Sequence, residues 1–439
     1  MFADAFEVLR KRNMRAEFFK YVLQNVAGMI GVSLYILADT FFISASAGAD
    51  GITVLNLALP IYGVIYAIGS MISVGTATRF TIKRAQGQEE AEYYFTHALF
   101  WDLVFSIPLM LLGIFAPELV IKVMGGDPMI MELGKDYFRI FLVGAPTFMM
   151  NSVFTSFARN DHAPTIAMTA SLIGSLFNIV FDYILMFPMG MGMKGAALAT
   201  MISPMITMAG CCVHYFGKKN TVKFRWRKPS LGLLYSCCQL GISGFMGEMS
   251  SSVTTTIFNM LLLGMVGNIG VAAYGIVANL SLVAMAMFNG VAQGTQPLLS
   301  RCFGQGDQKG VRQILVWGIG VILAVEIVLV AGAWGFTDPF VAIFNSEGNE
   351  TLRFYAFDAL RLYFLGYLAA GINTMLATYF SATGKAVPAF VASMLRGAIA
   401  ISVCAIVMAA VWGINGVWLS FLAAEVITLV VSLVFLKSK

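Results

Sequence analysis

Asn178 and Asp182 are two polar residues in the largely apolar stretch that runs from 177 to 200. They are four residues apart, so a helix would place both on one face, one turn apart. Their neighbours are mostly aliphatic or aromatic, and an ionisable group in such surroundings is costly unless it meets a partner or a polar cavity. Asp182 is therefore a candidate functional residue. A simpler alternative is that its carboxylate only hydrogen-bonds a neighbouring helix.

Two further polar residues are expected at the depth of Asp182 if the apolar segments of the chain cross a membrane. Asp39 lies near the end of the first segment, and Thr200 lies near the start of the sixth. Together the carboxylates, the amide and the hydroxyl can ligate a bare cation through oxygen. Alternatively, the two carboxylates share a proton, because two like charges placed close together do not both ionise readily. The sequence leaves both chemistries open.

The composition is that of a membrane protein. Hydrophobic residues make up 59% of the 439 residues and charged residues 12%, with a mean hydropathy of +0.80. Soluble domains carry about 25% charged residues. The length accommodates about a dozen spans of ~20 residues and leaves no large soluble domain. We therefore expect an all-α polytopic protein in contact with the lipid bilayer. Its charged first residues show no signal-peptide pattern.

Twelve apolar segments are expected to span the membrane. An even number of spans places both chain ends on the same side. In chain order, spans 1 to 12 are predicted at about 18–44, 52–78, 94–120, 135–158, 164–188, 194–216, 235–264, 271–299, 312–336, 356–381, 386–411 and 414–436.

Most of the 28 Lys and Arg residues fall on one side of this arrangement. They cluster in the N-terminal amphipathic lead-in 1–17, after the even-numbered spans, and above all in the loop 217–234. By the positive-inside rule, both termini and this loop are cytoplasmic, and we expect the protein in the cell (plasma or inner) membrane. A basic loop of this length between two spans is more often a topology determinant than a nucleic-acid patch. No nucleic-acid partner is expected.

The two halves of the chain resemble each other. Residues recur at a nearly constant spacing, and the pairs are Gly75 with Gly294, Thr76 with Thr295, Gly144 with Gly366, Gly192 with Gly413, and Gly195 with Gly416. This pattern predicts two six-helix lobes related by a pseudo-two-fold axis along the membrane normal, as in secondary transporters with parallel repeats. The N-lobe would comprise 18–216 and the C-lobe 235–439, with 217–234 as the cytoplasmic linker between them.

With these motifs the chain resembles the multidrug and toxic compound extrusion (MATE) family over essentially its whole length. The motifs are Asp39-Thr40-Phe41-Phe42, Asn178-x3-Asp182 and Gly192-x2-Gly195-Ala196-Ala197-x-Ala199-Thr200. The resemblance implies a twelve-helix antiporter that exports amphipathic, often cationic compounds in exchange for H⁺ or Na⁺. It further implies a cation site, whose residues would be Asp39, Asn178, Asp182 and Thr200, the backbone of Ala196, and Tyr137 as a hydrogen-bonding neighbour.

The chain departs from the family pattern at two places. Span 1 lacks a proline that relatives often carry near the position of Asn25, so a bend there would depend on Gly28 or Gly31. In the second lobe, Glu248 of span 7 matches an acid that some relatives use for Na⁺. The acid of span 10 that would complete that site is replaced by Gly371. Glu248 is therefore a second-lobe candidate, and the first lobe is the favoured location of the coupling site.

Four more charged residues fall within spans. For Glu326 in span 9 and Glu425 in span 12, helix packing and transport are equal alternatives, and Arg396 in span 11 can neutralise either acid. Asp102, in the inner half of span 3, is expected to extend its carboxylate toward the membrane surface. The abundant methionines and phenylalanines suggest an adaptable apolar cavity. Most of them are expected to face lipid or the core, and only those that line the central cleft would touch substrate.

Other functional classes fit the residues less well. The six cysteines form no C-x-x-C pair and the three histidines are scattered, so we expect no disulfide, no metal centre and no cofactor beyond the coupling ion. An intramembrane enzyme would need a paired nucleophile and base, so the chain is not expected to be an enzyme. A channel would need a filter-like loop. The main alternative is a flippase for lipid-linked saccharides, which would need extra spans and a ring of cavity arginines. We expect a monomer that binds small amphipathic molecules.

Overall fold

The structure is a computed structural model that describes residues 2–345 and 349–437, with side chains from Asn13 onward except that of Ala49. The side chains of residues 1–12, which make up most of the predicted amphipathic lead-in, lie outside the described part. Every regular element among the described residues is a helix. This agrees with the expected all-α membrane protein.

Spans 1 and 2 belong to one helical run, Phe2–Ala85, that is broken at Gly48. Gly48 has φ 60° and ψ −147°, a backbone conformation that is open essentially only to glycine. It separates Asn13–Gly48 from Asp50–Ala85. The other helices of the first lobe are Tyr94–Phe115 for span 3, Pro128–Val143 and Ala145–Asn160 for span 4, Pro164–Met186 for span 5, and Gly192–Tyr215 for span 6.

The second lobe repeats this plan. Its last helical run, Ala400–Lys437, contains the end of span 11 and all of span 12, which are separated by a break at Gly413 with φ 59°. The other helices are Leu231–Val266 for span 7, Asn268–Gly304 for span 8, Gln308–Gly335 for span 9, Glu350–Phe364 and Tyr367–Ala382 for span 10, and Ala386–Met394 with the π-helical turn Leu395–Ile399 for the start of span 11.

The glycine breaks occur at corresponding places in the two halves. Gly48 and Gly267 separate the first two spans of each half, and Gly192 and Gly413 precede the last span of each half; all four have a positive φ. This correspondence supports the internal repeat expected from the sequence. The predicted fold of twelve helices in two lobes is confirmed.

Short helices and bends are repeated as well. The short helix Pro117–Val123 follows span 3, and Thr337–Phe344 follows span 9. Span 4 consists of two helices that meet at an angle of 42°, and span 10 is likewise divided, at the residues around Gly366. By contrast, span 1 is helical through Gly28 and Gly31, and the one non-helical residue in its run is Gly48.

The two lobes meet through two matching helix pairs, span 2 with span 7 and span 8 with span 1. A Cβ added to Gly75 would lie 2.1 Å from the carbonyl oxygen of Cys237, and one added to Gly294 would lie 2.8 Å from that of Tyr21. Real Cβ atoms do not approach other atoms so closely, so both glycines allow backbone-to-backbone packing between lobes. The repeat seen in the sequence therefore includes the interface itself.

Several helices extend beyond their predicted bounds. Span 2 continues to Ala85 and span 8 to Gly304, because helix persists where the apolar pattern ends. Span 7 begins at Leu231 instead of 235, where the Ser230 hydroxyl caps it by accepting the N–H of Leu233 at 3.3 Å. The connection between the lobes is accordingly 216–230. The side of the bundle where this connection lies is called the linker end below.

Asp161, in the turn between spans 4 and 5, ties the linker to the first lobe. Its carboxylate accepts hydrogen bonds from His214 Nε2 at 2.8 Å and from the backbone N–H of Thr221 at 2.8 Å, and also from the Thr221 hydroxyl. Burial opposes ionisation of Asp161, but these hydrogen bonds outweigh it and lower the pKa of Asp161 from its ordinary value. The ionised carboxylate is thus the form that holds the linker.

Candidate functional site

The structure brings the four predicted polar residues of the first lobe into one enclosed cluster. Asp182 and Asn178 are fully buried, and Asp39 and Thr200 are 7% and 6% exposed. The carboxyl groups of Asp39 and Asp182 lie near enough to interact with each other electrostatically. Three helices supply the cluster, because span 1 ends, span 5 ends and span 6 begins at this depth.

Several oxygen atoms of this cluster have no hydrogen-bond donor among the described residues. They are Oδ1 of Asp39, Oδ1 of Asn178 and both carboxylate oxygens of Asp182. The amide nitrogen of Asn178 is 3.4 Å from the hydroxyl of Thr200, to which it donates. Buried oxygens without donors are costly, and a proton or a small cation would satisfy them. Ala196, one turn before Thr200 on span 6, is fully buried.

Tyr137 is fully buried and lies within electrostatic range of both carboxylates. Its hydroxyl, however, is paired with the hydroxyl of Tyr62 of span 2 at 3.4 Å. The structure therefore places Tyr137 next to the cluster but gives it a tyrosine partner. Tyr62, Tyr66 and Tyr35 were not singled out by the sequence analysis. The signal that could have found them is the spacing of Tyr35 and Asp39, four residues apart on span 1.

A cleft lies between the lobes and is lined by residues of both. It is lined mainly by polar side chains, with Met246 as one of its few large apolar residues. The expectation of a methionine-rich apolar lining is therefore wrong for this part of the cleft. Met149, for example, is fully buried in the first lobe. Charged and amide side chains from both lobes contribute to the lining, namely Arg159, Glu248, Asn289, Gln293, Gln296 and Arg396.

Glu248 faces this cleft from span 7. Its side chain is exposed there, and no positively charged group among the described residues pairs with it. The span 10 position that would complete a cation site with Glu248 is Gly371, and Glu326 of span 9 lies against that glycine. The second-lobe candidate is thus a carboxylate in an open cleft. Two other acids of this lobe, Glu326 and Glu425, are the enclosed ones.

Arg396 neutralises Glu425 and does not pair with Glu326. Its Nε donates to Glu425 Oε1 at 2.8 Å, and Asn373 Nδ2 donates to Glu425 Oε2 at 2.7 Å. Arg396 lies in the π-helical turn of span 11, a distortion often found at functional sites. This buried pair has its hydrogen bonds satisfied, so it is well suited to stabilise the second lobe.

Asp102 of span 3 does not extend toward the membrane surface. It is fully buried, and neither of its carboxylate oxygens has a partner among the described residues. The expectation failed because sequence position gives the depth of a residue but not the direction in which its side chain points.

Among the described residues, no group of three or more His, Cys, Asp or Glu could hold a metal ion.

The cluster and the cleft belong to a chain with clear relatives. The chain is 26% identical over 411 residues to "Multidrug export protein MepA" of Staphylococcus saprophyticus, which covers 92% of this chain and 90% of that protein. It is 25% identical to the protein of the same name from Staphylococcus aureus, with coverage of 92% and 89%.

Solved structures share the fold over nearly the whole chain. A crystal structure of "MATE in complex with MaL6" superposes with a TM-score of 0.89 at 22% identity and covers 96% of this chain and 95% of that one. An outward-facing multidrug resistance MATE family transporter of the MOP superfamily gives 0.88 at 22% identity, covering 95% and 94%. The MatE family profile matches residues 26–184 in the first lobe and 245–406 in the second. Because this match extends over most of the chain and both lobes, the protein is a member of the MATE family of transporters.

Proposed function

We propose that the protein exports amphipathic compounds, cationic ones among them, across the cell membrane in exchange for H⁺ or Na⁺. The proposal rests above all on Asp39 and Asp182, two enclosed acids that interact electrostatically. Asp39 Oδ1 and both carboxylate oxygens of Asp182 lack donors among the described residues. Export of drug-like molecules is supported by the relatives named multidrug export protein.

Cation binding at Asp39 and Asp182 would drive export through linkage. A proton or Na⁺ at the pair removes the cost of the unsatisfied buried oxygens, so it favours the arrangement of spans 1, 5 and 6 seen here. A substrate that favours a different arrangement of the first lobe must then weaken cation binding. By reciprocity, the cation weakens substrate binding by the same factor. Exchange of the two across the membrane is the result.

The conformation described here is closed at the linker end. Gln296 of span 8 donates to Thr78 of span 2 at 2.8 Å and accepts from Asn160 of span 4 at 3.1 Å. Near these residues, Arg79 donates to the carbonyl oxygen of Ser236 at 3.0 Å. We propose that the linker end is cytoplasmic, as the basic loop suggests. The cleft then faces outward, the state in which substrate leaves and the cation enters.

Glu248 supports the recognition of cationic substrates. An unpaired carboxylate in a cleft with low-dielectric walls attracts positively charged ligands, and its open position leaves room for a substrate group. We further propose that the two lobes move as units about the connection 216–230, that both termini are cytoplasmic, and that a single chain suffices for transport, with no cofactor besides the coupling ion.

The test is efflux of a fluorescent cationic dye in everted membrane vesicles. A proton gradient and a Na⁺ gradient are imposed separately, and dye uptake into the vesicles is followed under each. We expect uptake under at least one gradient, and none in vesicles that carry an Asp39→Asn, Asp182→Asn double variant at equal abundance. Uptake by that double variant at the wild-type rate would refute the proposed coupling site.

A further inference from the structure

The first turns of span 1 lie in the core of the second lobe. Phe18, Tyr21 and Val22 have the i, i+3, i+4 spacing that places side chains on one face of a helix. All three are buried in a hydrophobic cluster that is formed mainly by spans 8, 9 and 10. The ring of Phe18 lies 5.7 Å from that of Trp317 of span 9. The lobes can therefore separate at the linker end only if this face of span 1 leaves the second lobe.

Span 8 offers a matching face to span 1. Gly290, Gly294 and Arg301 are four and seven residues apart, a spacing that keeps them on one side of a helix. A Cβ on Gly290 would lie 2.5 Å from the Cα of Val26. One on Gly294 would lie 2.8 Å from the carbonyl oxygen of Tyr21. The two helices thus run antiparallel in close contact, and this shared face leads to Arg301 near the linker end.

Glu17 and Arg301 form an ion pair between the lobes at this end. Nη1 of Arg301 donates to Oε1 of Glu17 at 2.8 Å, and Nη2 donates to Oε2 at 2.6 Å. The guanidinium and the carboxylate are therefore joined by two hydrogen bonds. Nη1 also lies 3.3 Å from Nδ1 of His162, in the turn between spans 4 and 5. Arg301 thus connects the second lobe to two separate segments of the first.

The geometry of this ion pair is that of a strong one. The side chains of Arg301 and Glu17 are 23% and 31% exposed, so both are partly shielded from water. Fully exposed ion pairs contribute little because water screens them, whereas a bidentate arginine–carboxylate pair is stronger and fixed in orientation. Separation of span 1 from span 8 would break both hydrogen bonds. Neither charge has another partner of opposite sign among the described residues.

The matching helix pair, spans 2 and 7, is joined differently. There Arg79 donates to the carbonyl oxygen of Ser236, from Nε at 3.2 Å and from Nη2 at 3.0 Å. The described residues of spans 2 and 7 form no ion pair with each other. The closure of the linker end is therefore asymmetric, with two opposite charges on one side and an arginine–carbonyl contact on the other. Substitution of Glu17 removes the first without a change at the second.

We propose that Glu17 and Arg301 form a latch that holds the linker end closed and so sets the fraction of molecules in which this end is open. The inference rests on the proposed movement of the two lobes. Loss of the ion pair destabilises the closed state but not the open state, in which the latch is already broken, so it shifts the population toward the open state. The latch acts on this equilibrium without contact to substrate or coupling ion.

The test measures opening through the native Cys237 of span 7. Its side chain is fully buried in the hydrophobic cluster of the first lobe, at the other helix pair. Its modification therefore reports separation of the lobes and not a local change beside Glu17. Protein in nanodiscs is treated with N-ethylmaleimide, and modification of Cys237 is followed by peptide mass spectrometry. When opening and closing are fast compared with modification, the rate is proportional to the open fraction.

Glu17→Gln and Arg301→Gln should each raise the rate of modification at Cys237 about tenfold, because hydrogen bonds between two charged groups are lost. The double variant Glu17→Gln, Arg301→Gln should be no faster than the faster single variant, since both substitutions remove the same interaction. If one single variant does not fold, the other decides.

Arg353→Gln is the matched control. Arg353 pairs with Asp338 at 2.9 Å, but both residues belong to the second lobe, so loss of this pair should leave the rate at Cys237 as it is. Cys211 serves as the control for unfolding, because it is fully buried inside the first lobe. Its modification should stay at the wild-type rate in every variant. An equal rise at Cys211 and Cys237 would show general loosening and overturn the latch.

Wild-type rates at Cys237 in the variants of Glu17 and Arg301 would also overturn the latch, and so would additive effects in the double variant. The cationic probe tetraphenylphosphonium distinguishes this failure from a failure of lobe movement. A rate that responds to tetraphenylphosphonium but not to the substitutions contradicts the latch alone. A rate that responds to neither contradicts the movement of the lobes as well.

Discussion

Glu326 of span 9 fills the space that a side chain at Gly371 of span 10 would take. A Cβ built on Gly371 would lie 2.7 Å from Glu326 Oε1, and the same oxygen accepts the backbone N–H of Ile372 at 3.1 Å. Glu326 is fully buried, and its Oε2 has no partner among the described residues. Next to the glycine of span 10, span 9 thus supplies an enclosed acid that, unlike Glu425, has no positively charged partner among the described residues.

Gly371→Ala should therefore destabilise the protein by about 1–3 kcal/mol, because added volume in a packed interior forces neighbours apart. The new methyl group would meet Glu326 Oε1 at 2.7 Å. The measurement is thermal unfolding of the protein in detergent. Gly320→Ala on span 9 is the control, since nothing lies within 4 Å of a Cβ there, and it should be neutral or slightly stabilising. Equal melting temperatures for the two variants would mean that the contact at Gly371 is loose.

Asp39→Asn and Asp182→Asn should each abolish coupled efflux while the protein stays folded and inserted. An amide fills the same space as a carboxyl group but cannot take up a proton, and it is a weaker cation ligand. Dye efflux at matched expression is the measurement. Asp136→Asn, at a side chain that is 50% exposed, should behave as wild type. Full drug resistance in cells that express either buried variant would contradict the assignment.

Glu248→Gln should impair transport less than Asp182→Asn. Glu248 stands exposed in the cleft and lacks a carboxylate partner on span 10, whereas Asp182 is fully buried opposite Asp39. Efflux of one cationic dye by the two variants, compared at equal abundance, checks the order. An inactive Glu248→Gln beside an active Asp182→Asn would move the coupling site to the second lobe.

Asp161→Asn should destabilise the protein by about 1–3 kcal/mol near pH 7, because hydrogen bonds to an ionised group are lost. The pKa of Asp161 is lowered in the folded state. The ionised side chain therefore stabilises the folded protein fully above the unfolded pKa, about 3.9. This contribution is lost as the pH falls through the folded pKa. The difference in melting temperature between wild type and variant should thus be constant from pH 7 to pH 5 and shrink below about pH 4. A difference that grows on acidification would contradict this assignment.

The sequence was sufficient to predict the fold and the members of the first-lobe cluster, for a physical reason. A carboxylate in an apolar span is conspicuous, and the direction of each span places Asp39, Asp182 and Thr200 at a common depth. The twelve-helix, two-lobe fold is confirmed by the structure. That the cluster binds the coupling ion stays a prediction.

Relationships that depend on the angular orientation of packed helices were not predictable from one sequence. The contact between Glu326 and Gly371 joins two spans whose relative rotation no local pattern fixes. The same holds for Asp102, whose depth was clear but whose direction was not.

The coupling ion is the subject of the last prediction: H⁺ should drive transport at least as well as Na⁺. Sodium needs several oxygens at fixed distances, whereas one proton between Asp39 and Asp182 is enough to remove the repulsion between two enclosed carboxylates. The amide nitrogen of Asn178 donates to the Thr200 hydroxyl, which engages one potential ligand oxygen in a protein hydrogen bond. The test is efflux at constant pH, with the proton gradient collapsed by an uncoupler and a Na⁺ gradient imposed. We expect efflux to fall below the rate that a proton gradient supports. Undiminished efflux that disappears when K⁺ replaces Na⁺ would identify sodium as the coupling ion and show this prediction to be wrong.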